Sequence, residues 1–304
     1  MERAIVTEGL TKIYKSGKRQ TEAVRDLTLE VKRGEVFGFI GPNGAGKSTT
    51  IKMLLSILYP TSGRAWIFGL DARSPDSRKK VGYLPENPRF YDYLSGEEFL
   101  RFVGMLAGLS GAKLERKVES LLRYVGIYDA RKRKLRKYSK GMIQRIGLAQ
   151  ALMGDPDLII LDEPTSGLDP LGRKLTLDLI RSLRSRGKTI FFSTHILKDV
   201  EEIANRVGIL YKGKLLKVFS LDEERRGSGD YQIEIENAGI DLLAAAEKLA
   251  EPSKKNENRI TFIVKEDSLF DFLEIVRDKG GEIVSMARKK RNLEEIFLET
   301  IGKG

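Results

Sequence analysis

The chain contains 304 residues, of which 41% are hydrophobic and 32% are charged, a balance that is typical of folded proteins and excludes extensive disorder. It has no cysteine and one histidine, His195, which excludes disulfides, thiol catalysis, iron–sulfur clusters and metal sites built from several histidines. Because it also lacks any run of about 18 apolar residues and any signal-peptide pattern, we expect a cytoplasmic protein, free or docked on a partner.

The formal net charge of +11 is unevenly distributed along the chain. Residues 222–304 contain 14 basic and 19 acidic side chains, so that residues 1–221 carry a net charge of +16. A basic surface is typical of proteins that bind nucleic acid, anionic lipid or nucleotide, but a charge-rich surface that faces water gives the same composition. The change of sign near residue 221 indicates two parts of different character.

The first 220 residues combine short apolar runs, bounded by turn residues, with helical patterns. The apolar runs predict strands over 4–6, 24–31, 36–40, 64–68, 80–84, 157–161, 189–193, 207–211 and 214–218. Apolar residues at intervals of three and four predict helices over 47–59, 171–185 and 196–204, and a helical block over 95–152.

The remaining residues follow a polar segment with two glycines, 221–230, which predicts a linker. Beyond it we expect three strand–helix units, with strands over 231–236, 260–264 and 282–286 and helices over 242–249, 269–276 and 293–301. Residues 231–304 are therefore predicted to form a small α+β accessory domain, distinct from a domain of residues 1–220.

A glycine-rich loop lies between the strand that ends at Ile40 and the helix that begins near Lys47. It fits the pattern G-x-x-x-x-G-K-[ST], which between a strand and a helix is typical of loops that bind nucleoside triphosphates. Glycines let successive backbone N–H groups point at a phosphate, the lysine reaches the β- and γ-phosphates, and the serine hydroxyl can bind Mg²⁺. A tight glycine turn before a buried helix is the alternative. The predicted nucleotide-binding residues are Gly41, Pro42, Asn43, Gly44, Ala45, Gly46, Lys47, Ser48 and Thr49.

Two adjacent carboxylates, Asp162 and Glu163, follow the buried strand over 157–161. Phosphate-binding sheets hold their ligands at the carboxyl ends of strands, so Asp162 is a candidate Mg²⁺ ligand and Glu163 a candidate base for an attacking water. An Asp-Glu-Pro turn that caps the next helix is the alternative. His195 also follows a strand, 189–193, and is either part of the same site or a structural histidine.

A serine–glycine turn at the start of a predicted helix, within 138–142, is a second candidate anion site. The basic run over 131–137 that precedes it is either a nucleic-acid patch or, as we favour, a face exposed to water. Neither pattern is specific by itself.

Together these motifs resemble those of the ATP-binding-cassette (ABC) ATPases, over about residues 5–218. The resemblance identifies residues 41–49 as the Walker A loop, Asp162 and Glu163 as the Walker B aspartate and the catalytic glutamate, and His195 as the switch histidine. Further family positions are the adenine-stacking aromatic ring at Tyr14, the signature motif at Ser139, Lys140, Gly141 and Met142, and the D-loop at Ser166, Gly167, Leu168 and Asp169.

The resemblance implies an α/β fold with a P-loop NTPase core, an antiparallel β subdomain and a helical subdomain of about residues 87–152. ATP and Mg²⁺ are the implied cofactors, with Ser48, Glu86 and Asp162 as metal ligands. The sequence departs from the family where Glu86 replaces the Q-loop glutamine and where Lys140 and Met142 replace a glycine and a glutamine of the signature. These variants, like the C-terminal segment 292–302, are similar to those of the branch that exports drugs and ions.

In this family two ATPase chains sandwich two ATP molecules, each held between the Walker A loop of one chain and the signature of the other. One copy of each motif therefore implies a homodimer that closes on ATP, opens after hydrolysis and drives a separate transmembrane permease. The permease is expected to dock near residues 86–109, where Pro88, Phe90, Tyr91 and Tyr93 are candidate contacts or plain core residues. The chain would then lie at the inner face of the cell membrane, and no nucleic acid is expected as a partner.

Two other functions remain open at this point. A soluble ABC ATPase that acts on nucleic acid or ribosomes is the main alternative, although the chain lacks the coiled coils and zinc modules of the DNA branch and the second cassette of the ribosome branch. A GTPase is the third candidate, and no N-K-x-D guanine motif is present.

Overall fold

The computed structural model of the chain describes residues 2–17, 19–225, 229–256, 259–288 and 292–302. The chain divides into two compact units, one of Met1–Phe219 with Phe297–Gly304 and one of Ser220–Ile296. Each unit has its own hydrophobic core.

Among the described residues, the main segment of the first unit, Met1–Phe219, folds into two sheets and six α-helices. Its strands are β1 (Arg3–Ser16), β2 (Arg19–Lys32), β3 (Val36–Ile40), β4 (Ser62–Ile67), β5 (Leu70–Asp71), β6 (Val81–Leu84), β7 (Leu158–Asp162), β8 (Thr189–Thr194), β9 (Arg206–Tyr211) and β10 (Lys214–Ser220). Its helices are α1 (Lys47–Leu54), α2 (Gly96–Leu106), α3 (Gly111–Tyr124), α4 (Lys140–Ala151), α5 (Pro170–Ser185) and α6 (Leu197–Ile203).

An antiparallel sheet with the strand order β2-β1-β4-β5 forms the first layer. Strands β1 and β2 are each 14 residues long, much longer than the sequence pattern predicts. The apolar alternation is interrupted at Gly9 and Asp26, which both have a positive φ, and the pairing register shifts between Thr7 and Leu10. Because such a bulge turns side chains to the other face, the alternation that marks a strand is lost although the strand continues.

A second sheet with the order β10-β9-β3-β8-β7-β6 carries the parallel strands. The pairs β3–β8, β3–β9, β7–β8 and β6–β7 are all parallel, and every residue of β3, β7 and β8 is buried. Phe191 on β8 stacks on Phe37 of β3 and packs at a tilt against Phe39, with ring centroids 5.7 and 5.3 Å apart. The carboxyl ends of β3, β8 and β7 therefore lie side by side at one edge.

The helices largely follow the sequence patterns, and helices α2, α3 and α4 occupy the predicted helical block. Helix α2 begins with a capping box, in which the Ser95 amide donates to Glu98 Oε2 at 2.7 Å. This hydrogen bond, together with the Lys134 side chain, lowers the pKa of Glu98 to about 2. Helix α1 ends at Leu54, five residues before the predicted end, and Ser56 then adopts a left-handed φ of 52°. Among the described residues, no helix is long and apolar enough to cross a membrane.

The second unit is an α+β structure around one antiparallel sheet with the order β12-β13-β11-β14. Its strands are β11 (Tyr231–Glu236), β12 (Ala250–Asn256), β13 (Arg259–Val264) and β14 (Glu282–Arg288), and the helices of this part of the chain are α7 (Leu221–Arg225), α8 (Ile240–Ala246), α9 (Leu269–Asp278) and α10 (Leu293–Gly302). Ile233, Ile235, Phe262 and Phe272 are fully buried in its core.

Two expectations for this part of the chain were wrong. The three predicted strand–helix units miss β12, which is an edge strand that contains Pro252 and a register shift. Because β12 consists largely of polar residues, its sequence lacks the apolar alternation that predicts a strand. The predicted linker 221–230 begins with the helix α7, whose first turn contains three acidic residues that favour a helix N-terminus. Residues 226–228 of that linker lie outside the described residues.

We propose that the two units unfold separately, and two fully buried phenylalanines offer a matched test. Phe191 packs on Phe37 and Phe39, and Phe262 packs on Phe272 with centroids 5.4 Å apart. Truncation of either ring to alanine is expected to cost about 3–5 kcal/mol in its own unit. Scanning calorimetry should show two transitions: Phe191→Ala should lower the midpoint temperature of one, and Phe262→Ala that of the other. A single transition that both variants lower would contradict the proposal.

Candidate functional site

The glycine-rich loop between β3 and α1 is shaped by close backbone approach. Gly44 and Gly46 have φ values of 78° and 110°, which favour glycine, and Gly46 is the N-cap of α1. A Cβ atom on Gly41 would lie 2.2 Å from the Leu210 carbonyl oxygen, and one on Gly46 would lie 2.3 Å from that of Ala23. The loop thus packs directly on β9 and β2, and only glycine fits at these two positions.

Lys47, the first residue of α1, is buried beneath this loop. Its ammonium donates to the carbonyl oxygens of Gly41 at 2.7 Å and Pro42 at 3.3 Å. It also lies 3.2 Å from Glu163 Oε1, and both side chains are only 6% exposed. A positive charge at a helix N-terminus and next to a glycine loop is suited to bind a phosphate.

Asp162, at the end of β7, is 2% exposed and fixed by two hydroxyl groups. Ser193 Oγ donates to Asp162 Oδ1 at 2.6 Å, and Ser48 Oγ donates to the same oxygen at 3.1 Å. Ser193 Oγ in turn accepts from the Glu163 amide at 3.1 Å. The sequence analysis missed Ser193 because its only signal is its place at the end of a buried strand, β8.

Glu163 and His195 form a pair at the edge of the parallel sheet. His195 Nδ1 lies 2.9 Å from Glu163 Oε2, and the histidine side chain is 41% exposed whereas Glu163 is buried. Glu163 has a left-handed φ of 50°, an uncommon conformation for a residue other than glycine that places the carboxylate beside both Lys47 and His195. A carboxylate held between a lysine and a histidine can accept a proton from a water molecule near a bound phosphate.

These groups line a cavity of about 300 Å³. Its lining residues are Ala23, Asn43, Gly44, Ala45, Gly46, Lys47, Ser48, Thr49, Glu86, Glu163, Ser166 and His195. The structure therefore brings most of the predicted Walker A loop together with Glu86, Glu163, Ser166 and His195. Ala23 is an additional lining residue that no sequence motif marks.

The residues predicted to hold Mg²⁺ fit a small hard cation. Ser48 and Asp162 are already in contact, and Glu86 lines the same cavity. Burial, with smaller contributions from the charges of Asp162 and Glu86, raises the pKa of Tyr83 to about 12. Among the described residues no group of three or more His, Asp or Glu side chains could hold a metal by itself.

Other predicted residues lie outside this cavity. Tyr14 on β1 is 43% exposed and lies under the Lys12 ammonium, 5.5 Å from the ring centroid, so its contact with adenine stays a prediction. The signature residues Ser139–Met142 start α4, where Ser139 Oγ accepts from the Met142 amide at 3.3 Å as the N-cap. They do not line the cavity of their own chain.

The D-loop connects the cavity with the signature turn. Ser166 lines the cavity, whereas a Cβ atom on Gly167 would lie 2.2 Å from Lys140 Nζ, so the lysine side chain occupies the space beside this glycine. Asp169 is the N-cap of α5 and accepts from the Gly172 amide at 2.7 Å.

The basic run over 131–137 is engaged in local contacts. Arg131 stacks on the Tyr128 ring at 4.0 Å, Arg133 donates to the Lys137 carbonyl oxygen, and Lys134 lies 3.0 Å from Glu98. These contacts support a structural, solvent-facing role for the run.

Comparison with known proteins agrees with this geometry. A family model described as "ABC transporter" matches residues 24–166. The chain is 40% identical to an uncharacterised ABC transporter ATP-binding protein of Nostoc sp. over 98% of this chain and 90% of that protein. It is 34% identical to the Nod factor export ATP-binding protein I of Cupriavidus pinatubonensis over 93% and 87% of the two chains. A solved structure of an ATP-binding subunit of an ABC transporter, 36% identical, has a TM-score of 0.65 and covers 73% of this chain and 92% of its own.

Proposed function

The chain belongs to the family of ABC transporter ATP-binding proteins, and from that membership we propose that it works as a dimer that drives a separate, exporting permease. As a member of the family it binds and hydrolyses ATP. The observation that carries the proposal is the cavity in which Lys47, Glu163 and His195 meet beside the contact between Ser48 and Asp162.

Within this cavity we assign the phosphates of ATP to the glycine loop and Lys47. The backbone N–H groups of the loop and the N-terminus of α1 offer partial positive charge to the β- and γ-phosphates. Ser48, Asp162 and Glu86 would hold Mg²⁺, which supplies positive charge that offsets the developing charge on the phosphates. Glu163 is the general base, and His195, at 2.9 Å from it, orients its carboxylate.

The position of the signature residues supports the proposed dimer. Ser139 is exposed and Gly141 is partly buried at the start of α4, and neither lines the cavity of its own chain. A two-fold axis that sets each turn against the other chain's cavity gives two equivalent composite sites. The signature turn then contributes a helix N-terminus to the phosphate bound by the partner chain.

The permease is assigned to an exposed apolar surface at the start of the helical subdomain. Tyr91 and Tyr93 are 52% and 61% exposed, and Met105 and Leu106 at the end of α2 are also exposed. Phe90, in contrast, packs on Phe99 with ring centroids 4.6 Å apart, which favours a core role for this residue. Glu86 precedes this surface in the chain and lines the cavity, so it connects the two.

Export as the direction of transport is supported by the variants Glu86, Lys140 and Met142 and by the Nod factor export relative. Docking on the permease would hold the chain at the inner face of the membrane. Within the part of the chain that the structure describes, no feature favours the nucleic-acid alternative, and Arg131, Arg133 and Lys134 of the basic run have local partners. We propose the second unit, Ser220–Ile296, as an accessory domain outside the catalytic core. The predicted domain of residues 231–304 was too long, because Phe297–Gly304 belong to the first unit.

Replacement of Glu163 by glutamine tests the assignment of the base. Glu163→Gln keeps the size and hydrogen-bonding shape of the side chain but cannot accept the proton, so ATP turnover should fall by about 10²-fold or more. ATP binding, measured by equilibrium dialysis, should remain. Glu35→Gln is the matched control, because Glu35 is also buried and ion-paired, with Arg206 at 3.0 Å, away from the cavity. Turnover by Glu163→Gln near the parent rate would show that another group is the base.

Mixed variants test the composite sites. A heterodimer of a Lys47→Ala chain and a Ser139→Arg chain keeps one intact site and collects both defects in the other, so random mixing should restore about a quarter of the parent ATPase rate. A mixture of Lys47→Ala and Glu163→Gln chains has no intact site and should stay inactive. Equal rates for the two mixtures, or full activity of Ser139→Arg alone, would exclude the arrangement.

The role of Glu86 is tested by the Mg²⁺ dependence of ATP hydrolysis. Glu86→Ala removes an oxygen near the metal and is expected to raise the Mg²⁺ concentration for half-maximal rate by about tenfold, whereas Glu86→Gln keeps an oxygen and should be mild. Glu115→Ala is the control, since this exposed glutamate on α3 pairs with Arg101 instead. Superimposable Mg²⁺ curves for parent, Ala and Gln variants would leave Glu86 outside the metal site.

A further inference from the structure

A buried polar cluster lies close in the chain to the proposed catalytic pair, Glu163 and His195. Asp199, in α6, is 1% exposed, and its two carboxylate oxygens accept from two different elements. Thr165 Oγ1, in the loop after β7, donates to Oδ2, and Arg173 Nε, in α5, donates to Oδ1. Thr165 is itself 2% exposed. One carboxylate therefore joins three segments of the chain: the loop after β7, α5 and α6.

This cluster is close in sequence to three residues of the site, Glu163, Ser166 and His195. Thr165 is two residues after Glu163 and directly before Ser166, which lines the cavity. The Ser166 amide donates to the Glu163 carbonyl oxygen at 3.1 Å, so these residues form one tight turn. On the other side, the Asp199 amide donates to the Ile196 carbonyl oxygen at 3.1 Å, in the turn that begins just after His195. The two turns thus meet at two places, Glu163 with His195 and Thr165 with Asp199.

We propose that Asp199 is a positioning residue, which through Thr165 fixes the distance between Glu163 and His195 and the place of Ser166. The inference rests on the proposed function, because it assigns Glu163 as the base. The contact between Glu163 and His195 faces the cavity, where phosphate and the attacking water compete for it. The contact between Thr165 and Asp199 does not line the cavity, so it holds the two turns together while the contact between Glu163 and His195 changes.

The charge of Asp199 strengthens its hydrogen bond with Thr165. A carboxylate buried to this extent requires a partner, and Arg173, whose side chain is 29% exposed, supplies the opposite charge. Arg173 satisfies one oxygen, which leaves the other for the Thr165 hydroxyl as a charge-assisted hydrogen bond. Since a displacement of about 1 Å can cost about 10²-fold in rate, a lost anchor of this kind should affect turnover more than binding.

The test replaces the hydroxyl group and leaves the ion pair. Thr165→Val has nearly the same shape as threonine and is expected to lower kcat for ATP by about ten- to a hundredfold, with KM for ATP within about twofold of the parent value. Thr165→Ser restores a hydroxyl and should recover most of kcat. Thr176→Val is the matched control: Thr176 is also buried, in α5, and donates to the Gly172 carbonyl oxygen at 2.9 Å, but it lies away from the cavity.

The outcomes separate the possible failures. Parental kcat in Thr165→Val, or an equal loss in Thr176→Val, would overturn the role of Asp199, whereas loss of kcat that Thr165→Ser does not recover would assign Thr165 a merely structural role. If Thr165→Val is too unstable to assay, Asp199→Asn replaces it with the same expected division between kcat and KM. The proposed function fails separately, when Glu163→Gln leaves the parent rate unchanged.

Discussion

The buried contact between the Lys47 ammonium and the Glu163 carboxylate is the interaction on which the site depends. The two groups lie 3.2 Å apart and almost without access to water, where an unpaired charge is very costly. The lysine comes from the helix after β3 and the glutamate from the end of β7, so the sheet must bring these strand ends to one edge. Under the proposed function, a terminal phosphate that reaches Lys47 would compete with Glu163 for the same ammonium. Binding of the substrate would then release Glu163 Oε1 for a water molecule, while Oε2 keeps its contact with His195.

The strand order explains how a single sheet provides all these groups. Strand β8 lies between β3 and β7, and its carboxyl end supplies both Ser193 and His195. Ser193 Oγ hydrogen-bonds with both the Asp162 carboxylate and the Glu163 amide, whereas the His195 ring contacts the Glu163 carboxylate. Strand β6 also neighbours β7, but it does not pair with β3, whereas β8 pairs with both. The place of β8 between β3 and β7 thus brings its terminal residues beside both the glycine loop and Glu163.

The sequence predicts what is local and misses what is assembled from distant segments. The glycine loop and the pair Asp162–Glu163 are continuous in sequence, and each requires special residue types, so the pattern alone indicates them. Ser193 and Asp199 are ordinary polar residues, and their partners lie 31 and 34 positions away, so that only the folded chain shows their roles. Strand β12 was missed for a different reason, because an edge strand with a proline has neither the apolar alternation nor the composition of a typical strand.

Contacts between the D-loop and the signature turn connect the two sites of the proposed dimer. Ser166 lines the cavity of its own chain, and the next residue, Gly167, leaves the space that the Lys140 side chain of the signature turn occupies. A Cβ atom on Gly141 would lie 3.9 Å from Leu168, so the two segments are adjacent over two successive residues. In the proposed dimer this turn would face the nucleotide bound by the partner chain. A shift of Ser166 that follows hydrolysis in one site would then be transmitted, through a contact between packed residues, to the turn that completes the other site.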